Sequence, residues 1–159
     1  MDIKEATRKR LEELGISVEG LIALMNKPEE TEAKPVPFNE GISEVALEIK
    51  VKNILHRLGG PSHIKGYQYA TDAIVMAVCN RNFIDSVTKE IYPKVAEKND
   101  TEPSRVERAI RHFVEVSWSR SSEEDQRKIF GAAVSSIKGR PTNSEFIATI
   151  ADYVRLGGE

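Results

Sequence analysis

The chain has 159 residues, a formal net charge of −2 and one cysteine. That length suits one domain with a modest extra segment, and it can bury a core without covalent staples. A lone cysteine excludes an internal disulfide and fits a reducing cytoplasm; the sequence also holds no apolar run near the roughly 18 residues of a membrane span, and no signal-peptide pattern at MDIKEATRKRLEEL.

Ile3 to Leu14 carries helix formers with a sparse apolar stripe at Ile3, Ala6, Leu11 and Leu14, ended by Gly15. Ser17 can cap a second short helix containing Leu21, Ile22, Leu24 and Met25. Two such helices do not make a stable domain alone, so they pack on the main domain, meet a partner or meet their own copy. KPEETEAKPVPFNEG, Lys27 to Gly41, has three prolines and few hydrophobes and reads as an extended linker. The chain therefore divides into a helical appendage with linker over 1–41 and a main domain over 42–159.

Ile42, Val45, Ala46, Ile49, Ile54, Leu55 and Leu58 give helical spacing that Gly59-Gly60-Pro61 stops. Ser62 or His63 opens the next helix, which runs through Tyr67, Tyr69, Ile74, Val75 and Val78 and breaks at Asn80-Arg81-Asn82. Within it Cys79 is expected as a buried small hydrophobe. Phe83, Ile84, Val87 and Ile91 predict another short helix, and Tyr92-Pro93 starts the next, with Val95 and Ala96 inward. Thr101 is the predicted N-cap of a longer helix, with Pro103 tolerated in its first turn. Ser121 with Glu124 predicts a capping box for a helix ending near Phe130-Gly131. Thr142 with Glu145 predicts another, with Phe146, Ile147, Ile150, Ala151 and Val154 on the inner side. No strand alternation or internal repeat is visible. The fold class is all-α: a compact bundle of about six helices containing a helix-turn-helix, with a short N-terminal helical appendage.

The most informative stretch is TEPSRVERAIRHFVEVSWSR, Thr101 to Arg120. At about 100° per residue, Val106, Ala109, Ile110, Phe113, Val114 and Ser117 share one sector, and Arg105, Arg108, Arg111, His112 and Glu115 the other. Such a helix keeps its back in a core and offers its front to an anion. With the short helix upstream it forms a helix-turn-helix whose second member suits a DNA major groove. Residues 1–41 hold 6 Lys/Arg against 9 Asp/Glu, and residues 42–159 hold 17 against 16. The main domain is thus near neutral, and its positive charge works locally.

Arginine matches O6 and N7 of guanine together, and glutamate accepts from the cytosine amino group. Arg105, Glu107 and Arg108 lie in the first turns, where base contacts cluster; Glu107 sits at the edge of the apolar sector and can instead pair with Arg111 four positions on. Arg111 and His112 suit phosphate contacts, or a plain solvated face. Lys65 and Gly66 can present an ammonium and a backbone N–H to phosphate. Lys138, Arg140, Thr142, Asn143 and Ser144 form a basic loop entering a helix N-terminus, which binds phosphate well, although Thr142 can equally be only a cap. Trp118 is expected in the core, and Tyr67 and Tyr69 in packing rather than base stacking. His56, His63 and His112 lack metal-ligand spacing, and there is no glycine-rich phosphate loop or serine elbow. No enzyme, cofactor or metal is expected.

HIKGY (His63 to Tyr67), SRVERAIRH (Ser104 to His112), WSR (Trp118 to Arg120) and PTNSEFIA (Pro141 to Ala148) resemble the C-terminal effector domain of the master sporulation response regulator of endospore-forming bacteria. They occur in that family's order and spacing, and the resemblance spans roughly Ile42 to Leu156. It implies sequence-specific binding to double-stranded DNA, with Arg105, Glu107 and Arg108 reading a TGTCGAA-type element. It also implies self-association on tandem sites and contact with the RNA polymerase sigma subunit. Residues 1–41 are too short for the receiver domain that precedes this domain in the family, so switching by aspartyl phosphorylation on the chain itself is not expected. SSEEDQRKIFGAA, Ser121 to Ala133, is more charged than family members lead one to expect, which leaves activation or repression open. The competing reading is a protein-interaction module, or a competitor that modulates a full-length relative without activating transcription.

Overall fold

The computed structural model describes residues 43–131, 134 and 139–158. The expected N-terminal helices, the linker, Ile42 and Lys138 lie outside the described residues. Among those described there are six α-helices and no strand: α1 (Glu44–Arg57), α2 (Lys65–Cys79), α3 (Tyr92–Lys98), α4 (Pro103–Arg120), α5 (Glu123–Phe130) and α6 (Asn143–Arg155).

Helix α2 is the axis of the bundle. Its YQYATDAIVMAVC run is apolar almost all round, which is the pattern of a central helix, and Tyr67 to Val78 are buried except Gln68 and Met76. It packs against α1, α4 and α6. An aromatic chain knits the layers together. Phe113 of α4 meets Tyr67 of α2 at 6.0 Å and Phe146 of α6 at 6.3 Å between ring centroids. Phe146 meets Phe130, which Trp118 caps edge-on at 5.0 Å. Trp118 is half-buried, so it closes the core at its rim.

Several boundaries and faces differ from the sequence reading. Helix α1 turns Leu47, Val51, Ile54 and Leu55 inward, while Val45 and Ile49 are 66% and 55% exposed. Both lie two residues from Leu47, about 200° round the wheel, so one face excludes the other. Helix α2 starts after Ile64 rather than at a Ser62 or His63 cap. Cys79 is exposed, not buried, because α2 leaves the core at its last residue; desolvation at that end, with Glu44, raises its thiol above the ordinary value and disfavours a thiolate. The expected helix through Phe83 and Ile91 is a 3₁₀ turn, Arg81–Ser86, followed by a π turn, Val87–Ile91. The N–H of Tyr92 reaches the carbonyl of Val87, and this wider turn brings both Val87 and Ile91 into the core.

The turn between α3 and α4 explains a third shift. Thr101 N–H donates to Ala96 O at 2.9 Å and Asp100 N–H to Glu97 O at 3.3 Å, with Asp100 at φ +50°. These bonds form a Schellman motif with aspartate in the left-handed position that glycine usually takes. Thr101 is therefore the end of α3's cap, and Glu102 becomes the extended residue before α4, with no side-chain cap. The α5 cap is likewise one residue later than expected. Ser122 Oγ accepts from Asp125 N–H at 3.1 Å, while Ser121 Oγ donates back to Trp118 O. Thr142 caps α6 as expected, accepting from Glu145 N–H at 3.2 Å.

Candidate nucleic-acid interface

Helices α3 and α4 form the helix-turn-helix, and α4 divides by face as its periodicity predicts. Val106, Ile110, Phe113, Val114 and Ser117 are buried, and Arg105, Arg108, Arg111, His112 and Glu115 are exposed. Arg105, Arg108 and His112 form no ion pair or side-chain hydrogen bond among the described residues. Among the described residues nothing occludes them. Glu107 is half-buried and pairs with Arg111. The i,i+4 reading of that glutamate thus describes the free protein.

Helix α4 is tied down along its length. Near its start, Asn143 Nδ2 of α6 donates to the Glu107 carbonyl at 3.1 Å and to the Tyr92 hydroxyl of α3 at 3.0 Å. Burial raises the Tyr92 phenol above its ordinary pKa, so it stays a neutral hydroxyl in this bond. At mid-helix, Gly66 lies so close that a Cβ there would fall 2.3 Å from the Ala109 carbonyl oxygen. Further on, Ser117 Oγ donates to Leu58 O at 2.8 Å, satisfying a carbonyl at the end of α1.

A buried carboxylate fixes the other helix of the motif. Asp72 of α2 has a side chain only 2% exposed. It accepts from Lys98 Nζ at 3.0 Å, Asn99 Nδ2 at 2.9 Å and Gln68 Nε2 at 3.1 Å. Asn99 also donates to Val95 O, so this network holds the end of α3 just where the turn begins. Sequence reasoning passed over Asp72, although one acid inside an apolar helical run is itself the signature of a buried, partnered charge. Asp72→Ala is expected to lower stability by about 2–3 kcal/mol in urea unfolding, below the usual cost of breaking a buried pair because half-exposed Lys98 can return to water.

Apart from His112 on the exposed face and Lys138 outside the described residues, the predicted phosphate-contacting residues fall on two flanks of α4. On one, Arg111, Arg140, Thr142, Asn143 and Ser144 line a cleft of about 360 Å³ together with Tyr92 and Thr88. Arg140 pairs with Glu115 at 2.9 Å. Thr142 is used as the α6 cap, and the Asn143 amide is spent inside the protein, so its side chain is not a free phosphate donor here. Ser144 is exposed in the first turn of α6. On the other flank, next to Ala109, Lys65 is exposed at the start of α2 and Gly66 is buried behind it. Gly66 thus has a packing role that its place in a basic motif conceals.

Among the described residues no group of His, Cys, Asp and Glu could hold a metal ion, and no helix is long and apolar enough to cross a membrane. Residues 51–154 match the family model described as the C terminal of the sporulation initiation factor Spo0A.

Proposed function

The chain belongs to the Spo0A C-terminal family, whose members are DNA-binding domains of sporulation transcription factors and not enzymes, and from that premise we propose that it reads a specific double-stranded sequence with α4 in the major groove. The observation that carries this reading is the pair Arg105 and Arg108. Both are exposed near the start of the second helix of a helix-turn-helix, and neither is engaged by another described side chain. Exposed guanidinium groups without a described partner are available to guanine edges, and Glu107 stands beside them for a cytosine amino group.

The two flanks supply backbone contacts: Arg111, Arg140 and the first turn of α6 on one side, and Lys65 with the start of α2 on the other. His112 continues the exposed face and adds a further phosphate contact. The proposed target is a TGTCGAA-type element, bound as tandem copies by self-associating molecules in the cytoplasm. Contact with the polymerase sigma subunit would make the protein an activator. The first turn of α5, with Glu123, Glu124 and Asp125, is acidic, and a chain that occupies the element without recruiting polymerase acts as a competitor of a full-length relative.

Fluorescence anisotropy with a duplex carrying the element and a scrambled duplex, at two salt concentrations, tests the reading. Binding to the element is expected to be at least about 10-fold tighter, and both affinities to fall with salt. Equal, weak binding to both duplexes would favour a protein-interaction module built on the same fold.

A further inference from the structure

Both arginines of the cleft beside α4 are already held by carboxylates of α4 itself. Glu107, Arg111 and Glu115 follow one another at four-residue spacing on one flank of the helix. Glu107 holds Arg111, and Glu115 holds Arg140 from the segment preceding α6. The row alternates carboxylate and guanidinium, so its charges cancel at the place where a polyanion would arrive. Burial does not force the second pair: the Arg140 and Glu115 side chains are 46% and 55% exposed. The base-facing arginines are treated differently, since Arg105 and Arg108 have no such partner among the described residues.

We infer that Glu115 is an internal stand-in for a DNA phosphate, holding Arg140 in the free protein and yielding it to the duplex backbone on binding. The inference rests on the DNA-binding reading and names a residue that sets affinity within it. Carboxylate and phosphate present the same acceptor geometry to a guanidinium fork, so Glu115 keeps Arg140 aimed and ready. An exposed pair is weak and screened by salt, so a duplex with its dense phosphates can displace the carboxylate. Opening the pair subtracts from every backbone contact made through Arg140, whatever the sequence. The exchange therefore lowers affinity for all duplexes alike and leaves discrimination to Arg105 and Arg108.

The test is Glu115→Gln in the full chain, measured by anisotropy on the element duplex and the scrambled duplex. Glutamine keeps the size of the side chain and removes its charge, and the pair it breaks is exposed, so the expected cost in stability is small. Affinity is expected to rise about 2–5-fold on both duplexes, with their ratio unchanged. The gain is expected to vanish when Arg140→Ala is already present, because it travels through that guanidinium. No gain, or a gain that persists without Arg140, would overturn the inference; the second result would mean only that a repelling charge had been removed. A wild-type chain that fails to separate the two duplexes defeats the DNA-binding reading instead, so the two failures are distinguishable.

Discussion

Replacing Gly66 by alanine is expected to cost about 3 kcal/mol of stability and to weaken specific DNA binding with it. The added Cβ would meet the Ala109 carbonyl oxygen at 2.3 Å, the Phe113 Cβ at 2.7 Å and the Ala109 carbonyl carbon at 3.0 Å. Two of these three atoms are backbone of the helix that carries the arginines, so no rotamer change relieves the clash and α4 must move. Truncating Ala109 would not help, since its carbonyl stays. Gly158 provides the contrast. The three atoms nearest a Cβ there all belong to the Tyr153 ring, which can turn aside, and Gly158→Ala is expected to cost less than about 1 kcal/mol. Urea unfolding of both variants checks the ranking. Gly66→Ala within about 1 kcal/mol of wild type would mean that α2 and α4 can separate freely, and that α4 is not held as rigidly as its contacts imply.

The same glycine shows how far residue patterns carry and where they stop. The buried face of α4, the α6 cap at Thr142 and the break after Cys79 all follow from local rules: a 3.6-residue period, a hydroxyl followed three places later by an acid, and a polar run. These depend on neighbours in the chain and are legible there. The exposed arginines are legible for the same reason, because the opposite face of an amphipathic helix is known once its apolar face is known. What was misread depends on choices that a local pattern leaves open, or on partners distant in sequence. Val45 and Ile49 look like core residues until Leu47 and Val51 claim the inward face. The Asn143 side chain looks free for a ligand until its amide is found on Tyr92 and Glu107. Thr101 looks like a cap because the Schellman motif before it uses aspartate where glycine would have announced the turn. Gly66 serves a contact with another helix of which one-dimensional periodicity holds no record, and the lone acid in an apolar run marks Asp72 as buried without naming its partners.

Arg108→Ala is expected to weaken binding to the element duplex by about 1–3 kcal/mol, roughly 5- to 150-fold, and to narrow the gap to the scrambled duplex. Arg108 is exposed near the start of α4 and bonds to no described side chain, so its truncation leaves no buried group unpaired. Its effect on folding should stay within about 0.5 kcal/mol, which keeps the binding loss interpretable. Arg111→Ala on the same helix should behave differently. It frees Glu107 from its ion pair and removes a cation from the cleft flank, so its loss should be similar on both duplexes and should lower the salt slope by about 1. The pair of variants separates base reading from backbone holding within one helix. If Arg108→Ala weakened the two duplexes equally, Arg108 would be a phosphate contact, and sequence reading would have to come from another part of the exposed face.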